Sequence, residues 1–294
     1  MNWIEKFAAL IGPVLIVFAL SLISFCTYVF FNDVLPYYRH NFSLSAPAEL
    51  IVTFLGVFLL FNTLYNYYRC VVTSPGIPPL ATESAESGAL ANRLGGYVRT
   101  NSESGDEDDQ GGKKSVCGKC DRIRPLRTHH CSVCKTCVMK MDHHCPWIYN
   151  CVGYGNYKFF YLFLLHLFLV DLFYMVITYP VFAILLRSNE KIGFESRSSI
   201  VMSFVLAAAV EIAVLAFLAF HTYLLLSNQT TIEFISSSPD LRRMGKFRKN
   251  QFDLGRNANW NQVFGRQGKW QWAFSFLHKE GEEGIPVFPT IGVK

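Results

Sequence analysis

Seven of the nine cysteines lie between Cys117 and Cys151, and their spacing repeats. The segment reads Cys117-x2-Cys120-x9-His130-x6-Cys137, overlapped by Cys131-x2-Cys134-x9-His144-x6-Cys151, the first set displaced by 14 residues at all four positions. Three thiolates and one imidazole close a tetrahedral structural zinc site, and Cys-x2-Cys is the usual ligand knuckle. The spacing therefore predicts two zinc ions: Cys117, Cys120, His130 and Cys137 hold one, and Cys131, Cys134, His144 and Cys151 the other. Two metals would also fold 35 residues with few core-forming side chains, because metal binding supplies folding free energy. Scattered buried cysteines, or one site with spare thiols, are the competing readings.

Three donors are left over: His129, His143 and Cys145. By the 14-residue offset Cys145 corresponds to Cys131, but a third repeat would need a cysteine where Ile148 stands. Thr128-His129-His130-Cys131 in the first copy becomes Asp142-His143-His144-Cys145 in the second. Only the second copy combines a carboxylate, an imidazole and an unligated thiol. That is the inventory of a nucleophile (Cys145), a general base (His143) and an acid that orients the base (Asp142). A neighbouring imidazole and a cationic metal lower a thiol pKa that is otherwise about 8.5. The alternative is a spare Cys145 in a zinc module that only docks partners.

The elements that must position these residues are apolar. Of 294 residues 51% are hydrophobic and 17% charged, against roughly 25% charged in an average soluble domain, which argues against an ordinary soluble enzyme. Four blocks carry the hydrophobicity: 7–31, 50–68, 159–186 and 200–226. Each is near or beyond the roughly 20 helical residues that cross hydrocarbon. The first, 25 residues without a charge, exceeds the roughly 7 to 15 apolar residues of a secretory leader and reads as an anchor. Of 27 Lys and Arg, 12 fall in residues 69–158 and 10 after Leu226, so the positive-inside rule puts that loop and both termini in the cytosol. In a reducing cytosol clustered thiols are metal ligands more readily than disulfides. The net charge of +5 lies beside the membrane, where it suits anionic headgroups or a phosphorylated ligand and gives no reason to expect nucleic acid.

The expected architecture is an all-α integral membrane protein of four transmembrane helices. A small two-zinc, cysteine-rich domain of short strands and loops interrupts it between spans 2 and 3. Along the chain this gives residues 1–69 with spans 1 and 2, a disordered acidic linker at 81–112, the zinc domain at 113–158, spans 3 and 4 at 159–226, and a cytosolic tail at 227–294. Ser74-Pro75-Gly76 breaks the helix after span 2, and a basic stretch occupies Arg242 to Lys249.

Asp142-His143-His144-Cys145 within this repeat, flanked by four spans, resembles the DHHC family of protein S-acyltransferases, the palmitoyltransferases. The likeness extends through Arg127 to Cys131, Met141 to Trp147, Cys151-Val152-Gly153 and Asn156 to Phe160. Thr230-Thr231-Ile232-Glu233 is similar to the family's Thr-Thr-x-Glu element, and Asn250 to Gly265 to its C-terminal motif. The resemblance implies that Cys145 accepts a fatty acyl group, palmitoyl above all, from acyl-CoA and passes it to cysteines of substrate proteins. It implies the same zinc ligands, a bond from Thr230 or Thr231 to the region of Asp142, and an endoplasmic reticulum or Golgi location. Two departures stand out: Ser74 replaces the Asp of the family's Asp-Pro-Gly, and Tyr149 stands where Asn is common.

A thiolate at the cytosolic bilayer surface would meet both halves of acyl-CoA. Ala207, Ala208, Ala209, Ala213, Ala216 and Ala219 in span 4 leave room for an acyl chain or serve close helix packing. Trp147 is a lid on the thioester or an interfacial anchor. For the CoA phosphates the nearest basic residues are Arg122, Arg124, Arg127 and Lys135, with His129 as a neutral partner, and Arg127 is the first choice. Asp171 and Glu211, mid-span, each cost about 3 kcal/mol on insertion scales, and could share a proton, meet His166 or make a structural hydrogen bond. A transporter using them and a membrane-anchored zinc interaction module are the rival functions. Cys70, at the end of span 2, is a further candidate for acylation.

Overall fold

The computed structural model describes residues 3–80, 116–187, 194–236 and 250–265; the expected acidic linker and the basic stretch from Arg242 to Lys249 lie outside them. Among the described residues four helices are long and apolar enough to cross a membrane, over Ile11–Asn41, Ala46–Val72, Tyr157–Arg187 and Ser196–Leu226. Each outruns its apolar block, because backbone hydrogen bonding continues into the polar flanks. Spans of 27 to 31 residues correspond to roughly 40 to 47 Å of helix against about 30 Å of hydrocarbon. The first is built from α1 (Trp3–Val29), a π-turn (Phe30–Val34) and α2 (Leu35–Asn41). The others are α3 (Ala46–Val72), α4 (Tyr157–Arg187) and α5 (Phe194–Leu226).

Chain contacts divide the molecule into two units. The first holds Pro13–Tyr68 and Phe159–His221, the bulk of the helices. Val29, Val34, Tyr37, Val181, Leu185 and Ile200 form one buried cluster, and Phe30 packs with Tyr174 and Ala207 in another. Ala207 is thus a packing residue, whereas Ala209, Ala213, Ala216 and Ala219 are exposed and face outward. Tyr174 donates a hydrogen bond to Ser203 at 2.7 Å. His166 engages its own helix, Nδ1 to the Leu162 carbonyl at 2.8 Å. Asp171 Oδ2 and Glu211 Oε2 are buried with no hydrogen-bond partner among the described residues.

The second unit gathers Met1–Gly12, Arg69–Lys158 and Thr222–Lys294. Its centre is three antiparallel turns repeating at the 14-residue offset. An isolated bridge pairs Val116 with Ile123. In the next, β1 (His129–Cys131) pairs with β2 (Thr136–Val138), with His130 opposite Cys137. In the last, β3 (His143–Cys145) pairs with β4 (Asn150–Val152), with His144 opposite Cys151. Four residues after Cys117, Cys131 and Cys145 the backbone turns left-handed, at Asp121 (φ 52°), Lys135 (φ 57°) and Tyr149 (φ 48°).

The turn after α3 is packed onto these hairpins. Met139 N–H donates to the Gly76 carbonyl at 2.8 Å and Gly155 N–H to the Pro75 carbonyl at 3.1 Å. A Cβ on Gly153 would lie 2.6 Å from Pro75 O and 2.5 Å from Val138 Cγ1, so only glycine permits this approach. Asn150 Nδ2 reaches the carbonyls of Cys70 (3.0 Å), Val71 (3.3 Å) and Thr73 (3.0 Å), joining the last hairpin to the end of α3.

After α5 the chain turns in a Schellman-type stop. Gln229 N–H returns to the Leu224 carbonyl, Asn228 N–H to that of Leu225, and Asn228 is left-handed at φ 48°. Among the described residues two short helices follow, α6 (Thr231–Ser236) and α7 (Arg256–Phe264). The carbonyls left open at the end of α5 are met from the tail: Asn259 Nδ2 bonds Leu226 O at 2.7 Å and Asn250 Nδ2 bonds Ser227 O at 2.5 Å.

Candidate active site and metal clusters

Alternation along β3 sorts its three residues. Successive side chains of a strand point to opposite faces, so His143 and Cys145 share one face and His144 takes the other. His144 Nδ1 lies 3.7 Å from Cys131 Sγ, 3.4 Å from Cys134 Sγ and 3.7 Å from Cys151 Sγ. In the other cluster His130 Nδ1 is 3.6 Å from Cys117 Sγ and 4.0 Å from Cys137 Sγ, and Cys120 and Cys137 sulfurs are 3.6 Å apart. Zn–S and Zn–N bonds of about 2.3 and 2.0 Å require tetrahedral edges of roughly 3.5 to 3.8 Å, and the observed separations of 3.4 to 4.0 Å bracket that range. Each cluster can therefore hold one metal ion, and its Cys3His donor set suits zinc.

Asp142, which immediately precedes β3 and is 1% exposed, accepts from His143 Nδ1 through Oδ2 at 2.7 Å. Its backbone N–H donates to the Val152 carbonyl at 2.9 Å, which fixes the carboxylate to the hairpin. The His143 side chain also hydrogen-bonds Cys145. With Nδ1 committed to Asp142, Nε2 is the ring nitrogen left for sulfur. Burial works against a charged imidazole here, but the bonds to Asp142 and Cys145 outweigh it and raise His143 to about 9. Cys145 is itself buried, 7% exposed, and Trp147 on the following turn is exposed. Thr128, the counterpart of Asp142 in the first copy, has a buried hydroxyl with no hydrogen-bond partner among the described residues. The two copies thus differ in structure as well as in residue type.

The Thr-Thr-Ile-Glu element does two jobs with two threonines. Thr230 and Glu233 form a capping box at the start of α6: Glu233 N–H to Thr230 Oγ1 at 3.2 Å, and Thr230 N–H to Glu233 Oε2 at 2.9 Å. Thr231 is thereby held against Asp142, donating its N–H to Oδ1 at 2.9 Å and its hydroxyl to Oδ2 at 2.7 Å. Of the two alternatives open in the sequence, Thr230 is the cap and Thr231 the contact.

Arg127, the first choice for a CoA phosphate, is placed elsewhere. It is 6% exposed and makes a bidentate pair with Glu233, Nε to Oε1 and Nη2 to Oε2, both at 2.7 Å. Nη1 and Nη2 also reach Asn228 Oδ1 (3.1 Å) and its carbonyl (3.0 Å), and the guanidinium stacks 4.3 Å over the Phe252 ring. A guanidinium so enclosed joins the hairpins to α6 and the tail rather than meeting a solvent-borne phosphate. Lys135 is exposed on its knuckle, Arg124 and His129 are half-buried, and Arg122 donates to the Pro78 carbonyl at 2.6 Å.

Several residues of this site were not singled out from the sequence. Asn150 and Asn228 act by closing backbone carbonyls, which no local pattern marks, whereas Asn259, which does the same, lies in the segment likened to the C-terminal motif. Lys140 lines a small cavity with Asp142, Tyr157, Asn228, Gln229 and Thr230. Burial first, then Arg127, depress its ammonium to about 7 against the opposing pull of Glu233 and Asp142. Glu233 was visible as the last residue of its motif, but its partner Arg127 is 106 residues away.

The DHHC palmitoyltransferase family model matches residues 110–238. The chain is 36% identical over 259 residues to the probable protein S-acyltransferase 12 of Arabidopsis thaliana, covering 84% of this chain and 82% of that protein. It is 34% identical over 292 residues to palmitoyltransferase ZDHHC15A of Danio rerio (92% of this chain, 82% of that one). With palmitoyltransferase ZDHHC2 of Homo sapiens it shares 31% over 269 residues, 85% of this chain and 66% of the human protein.

Proposed function

The chain belongs to the DHHC palmitoyltransferase family of protein S-acyltransferases, and from that premise we propose that it acylates substrate cysteines through a thioester on Cys145, with fatty acyl-CoA as donor. In the first step the Cys145 thiolate attacks the acyl carbonyl, and the CoA thiolate leaves with the proton that His143 holds. In the second, His143 takes the proton of a substrate cysteine thiol. That sulfur attacks the Cys145 thioester, and Cys145 leaves as a thiolate. The observation that carries this reading is the position of His143, hydrogen-bonded to Asp142 on one side and Cys145 on the other.

Asp142 keeps the His143 tautomer and stabilises the imidazolium, and Thr231 keeps Asp142 in place. The two metal ions, held by Cys117, Cys120, His130 and Cys137 and by Cys131, Cys134, His144 and Cys151, would fold the hairpins that carry His143 and Cys145. Arg124, His129 and Lys135 remain the proposed contacts for CoA, and Trp147 a cover for the thioester. The hairpin of Cys145 is bonded to the end of α3, a membrane-length helix, which suits a donor whose chain prefers hydrocarbon. We place the enzyme in the endoplasmic reticulum or Golgi with both termini cytosolic, acting on protein substrates with accessible cysteines.

The test is incubation of purified protein with labelled palmitoyl-CoA. Wild type is expected to carry hydroxylamine-labile label and Cys145→Ser none; undiminished label on the variant overturns the assignment. Shorter and longer acyl-CoA competitors in the same assay rank the chain-length preference.

A further inference from the structure

The hairpin that carries Cys145 repeats the geometry of the two zinc knuckles before it. The pairs Val116–Ile123, His130–Cys137 and His144–Cys151 are antiparallel and successive at 14 residues. Each turn ends on a left-handed residue in the same place, Asp121, Lys135 or Tyr149. Left-handed backbone is uncommon outside Gly and Asn, and a tyrosine there has no side-chain compensation. The conformation of the third turn is therefore imposed by its surroundings. These include Ile148, which is 0% exposed, and Asn150, which sits opposite Cys145 and anchors the hairpin to α3.

The ligand rule is equally regular. A knuckle supplies cysteines at positions i and i+3, and the next hairpin supplies histidine at i+13 and cysteine at i+20. Applied to Cys145, the rule points to positions 148, 158 and 165, which are Ile148, Lys158 and Leu165. The last two fall in α4, where the run of hairpins stops. Cys145 also keeps the strand face that Cys131 uses to reach its cluster, since both are the third residue of matching strands.

We infer that Cys145 occupies the first ligand position of a third, metal-free knuckle, and that Ile148 is the specificity-determining residue that keeps its sulfur from being chelated. A knuckle aims the sulfurs at i and i+3 at one point, so a second donor at 148 would capture a soft divalent cation with Cys145 and occupy the lone pair that attacks the acyl carbon. The apolar side chain fills the same position and offers no donor. The significance for catalysis rests on Cys145 being the nucleophile; the geometry of the knuckle does not.

The experiment is therefore read at the sulfur and separately at the reaction. Full-length wild type, Ile148→Cys and Ile148→Ser are purified with both clusters metal-loaded. Iodoacetamide alkylation of Cys145 is followed by mass spectrometry with and without added Cd2+. In Ile148→Cys, Cd2+ is expected to slow alkylation of Cys145 at least tenfold and to abolish its acylation by palmitoyl-CoA, both reversed by a chelator too weak to strip the clusters. Wild type and Ile148→Ser are expected to show no Cd2+ effect. Should Ile148→Cys lose its cluster metals, Ile148→His supplies the second donor instead. Unprotected alkylation in a variant that keeps both cluster metals overturns the inference, as does loss of acylation in Ile148→Ser equal to that in Ile148→Cys and indifferent to Cd2+. Persistent labelling of Cys145→Ser, by contrast, would refute the nucleophile assignment while leaving metal protection at Cys145 intact.

Discussion

Replacing Thr231 by valine removes one hydroxyl from the carboxylate that orients the base and leaves the shape of the side chain nearly unchanged. The hydroxyl donates to Asp142 Oδ2 at 2.7 Å, the same oxygen that His143 Nδ1 meets, while the backbone N–H of Thr231 continues to hold Oδ1. A hydrogen bond to a charged group contributes about 1.5 to 3 kcal/mol. Asp142 is 1% exposed, so water cannot readily replace it. If the bond is felt fully as charge develops on His143, acyl-enzyme formation slows by about 10- to 150-fold, taking tenfold per roughly 1.4 kcal/mol. Single-turnover acylation with palmitoyl-CoA measures this step, and Thr231→Ser, which restores the hydroxyl, is expected to recover most of the rate. The capping box made by Thr230 and Glu233 is untouched, so metal content and thermal stability should stay near wild type. A Thr231→Val enzyme within twofold of wild type, with its metals in place, would refute the claim that this contact positions Asp142.

Arg127→Met leaves the Glu233 carboxylate without its bidentate partner and is expected to cost about 2 kcal/mol of stability, below the usual figure for a buried pair because Glu233 is partly exposed. Denaturation in detergent reads it; a raised KM for acyl-CoA at unchanged stability would restore Arg127 to the phosphate. Cys134→Ala removes one ligand from the cluster of Cys131, His144 and Cys151, and metal analysis should fall from two ions to one with loss of the β3–β4 hairpin and of acylation. Two ions bound to that variant would show the donor set to be wrong. Gly12→Ala drives a methyl into the Tyr149 ring and is expected to slow acylation by displacing the turn beside Cys145. Adding Tyr149→Ala should recover the rate, and strictly additive losses would show that the two residues do not interact.

The metal clusters were legible because their information is local. Eight ligands fall within 35 residues at fixed spacings, and the hairpin that each Cys-x2-Cys makes is set by its own turn. The four spans were legible for a similar reason, since length and composition alone decide whether a helix can cross hydrocarbon. Their ends were not: α1, its π-turn and α2 carry the first span to Asn41, ten residues past the last residue of the apolar block. Arg127 shows the limit most clearly. Nearness to the motif in sequence suggested a phosphate, but a buried cation takes the partner that the fold brings to it, here Glu233 and the ring of Phe252.

By itself the sequence determined which atoms could ligate metal, which thiol was left over, and which segments are apolar enough to be membrane spans, because each depends on residue type and short-range spacing. The tertiary structure alone decided that Thr231 rather than Thr230 reaches Asp142, that Asn250 and Asn259 close the end of α5, and that the turn after Cys145 copies a zinc knuckle without the second sulfur. Those are contacts across tens of residues or backbone conformations that tyrosine would not adopt unaided. They depend on which carbonyl or carboxylate is left unsatisfied once the hairpins and helices have packed, and that is a property of the folded chain.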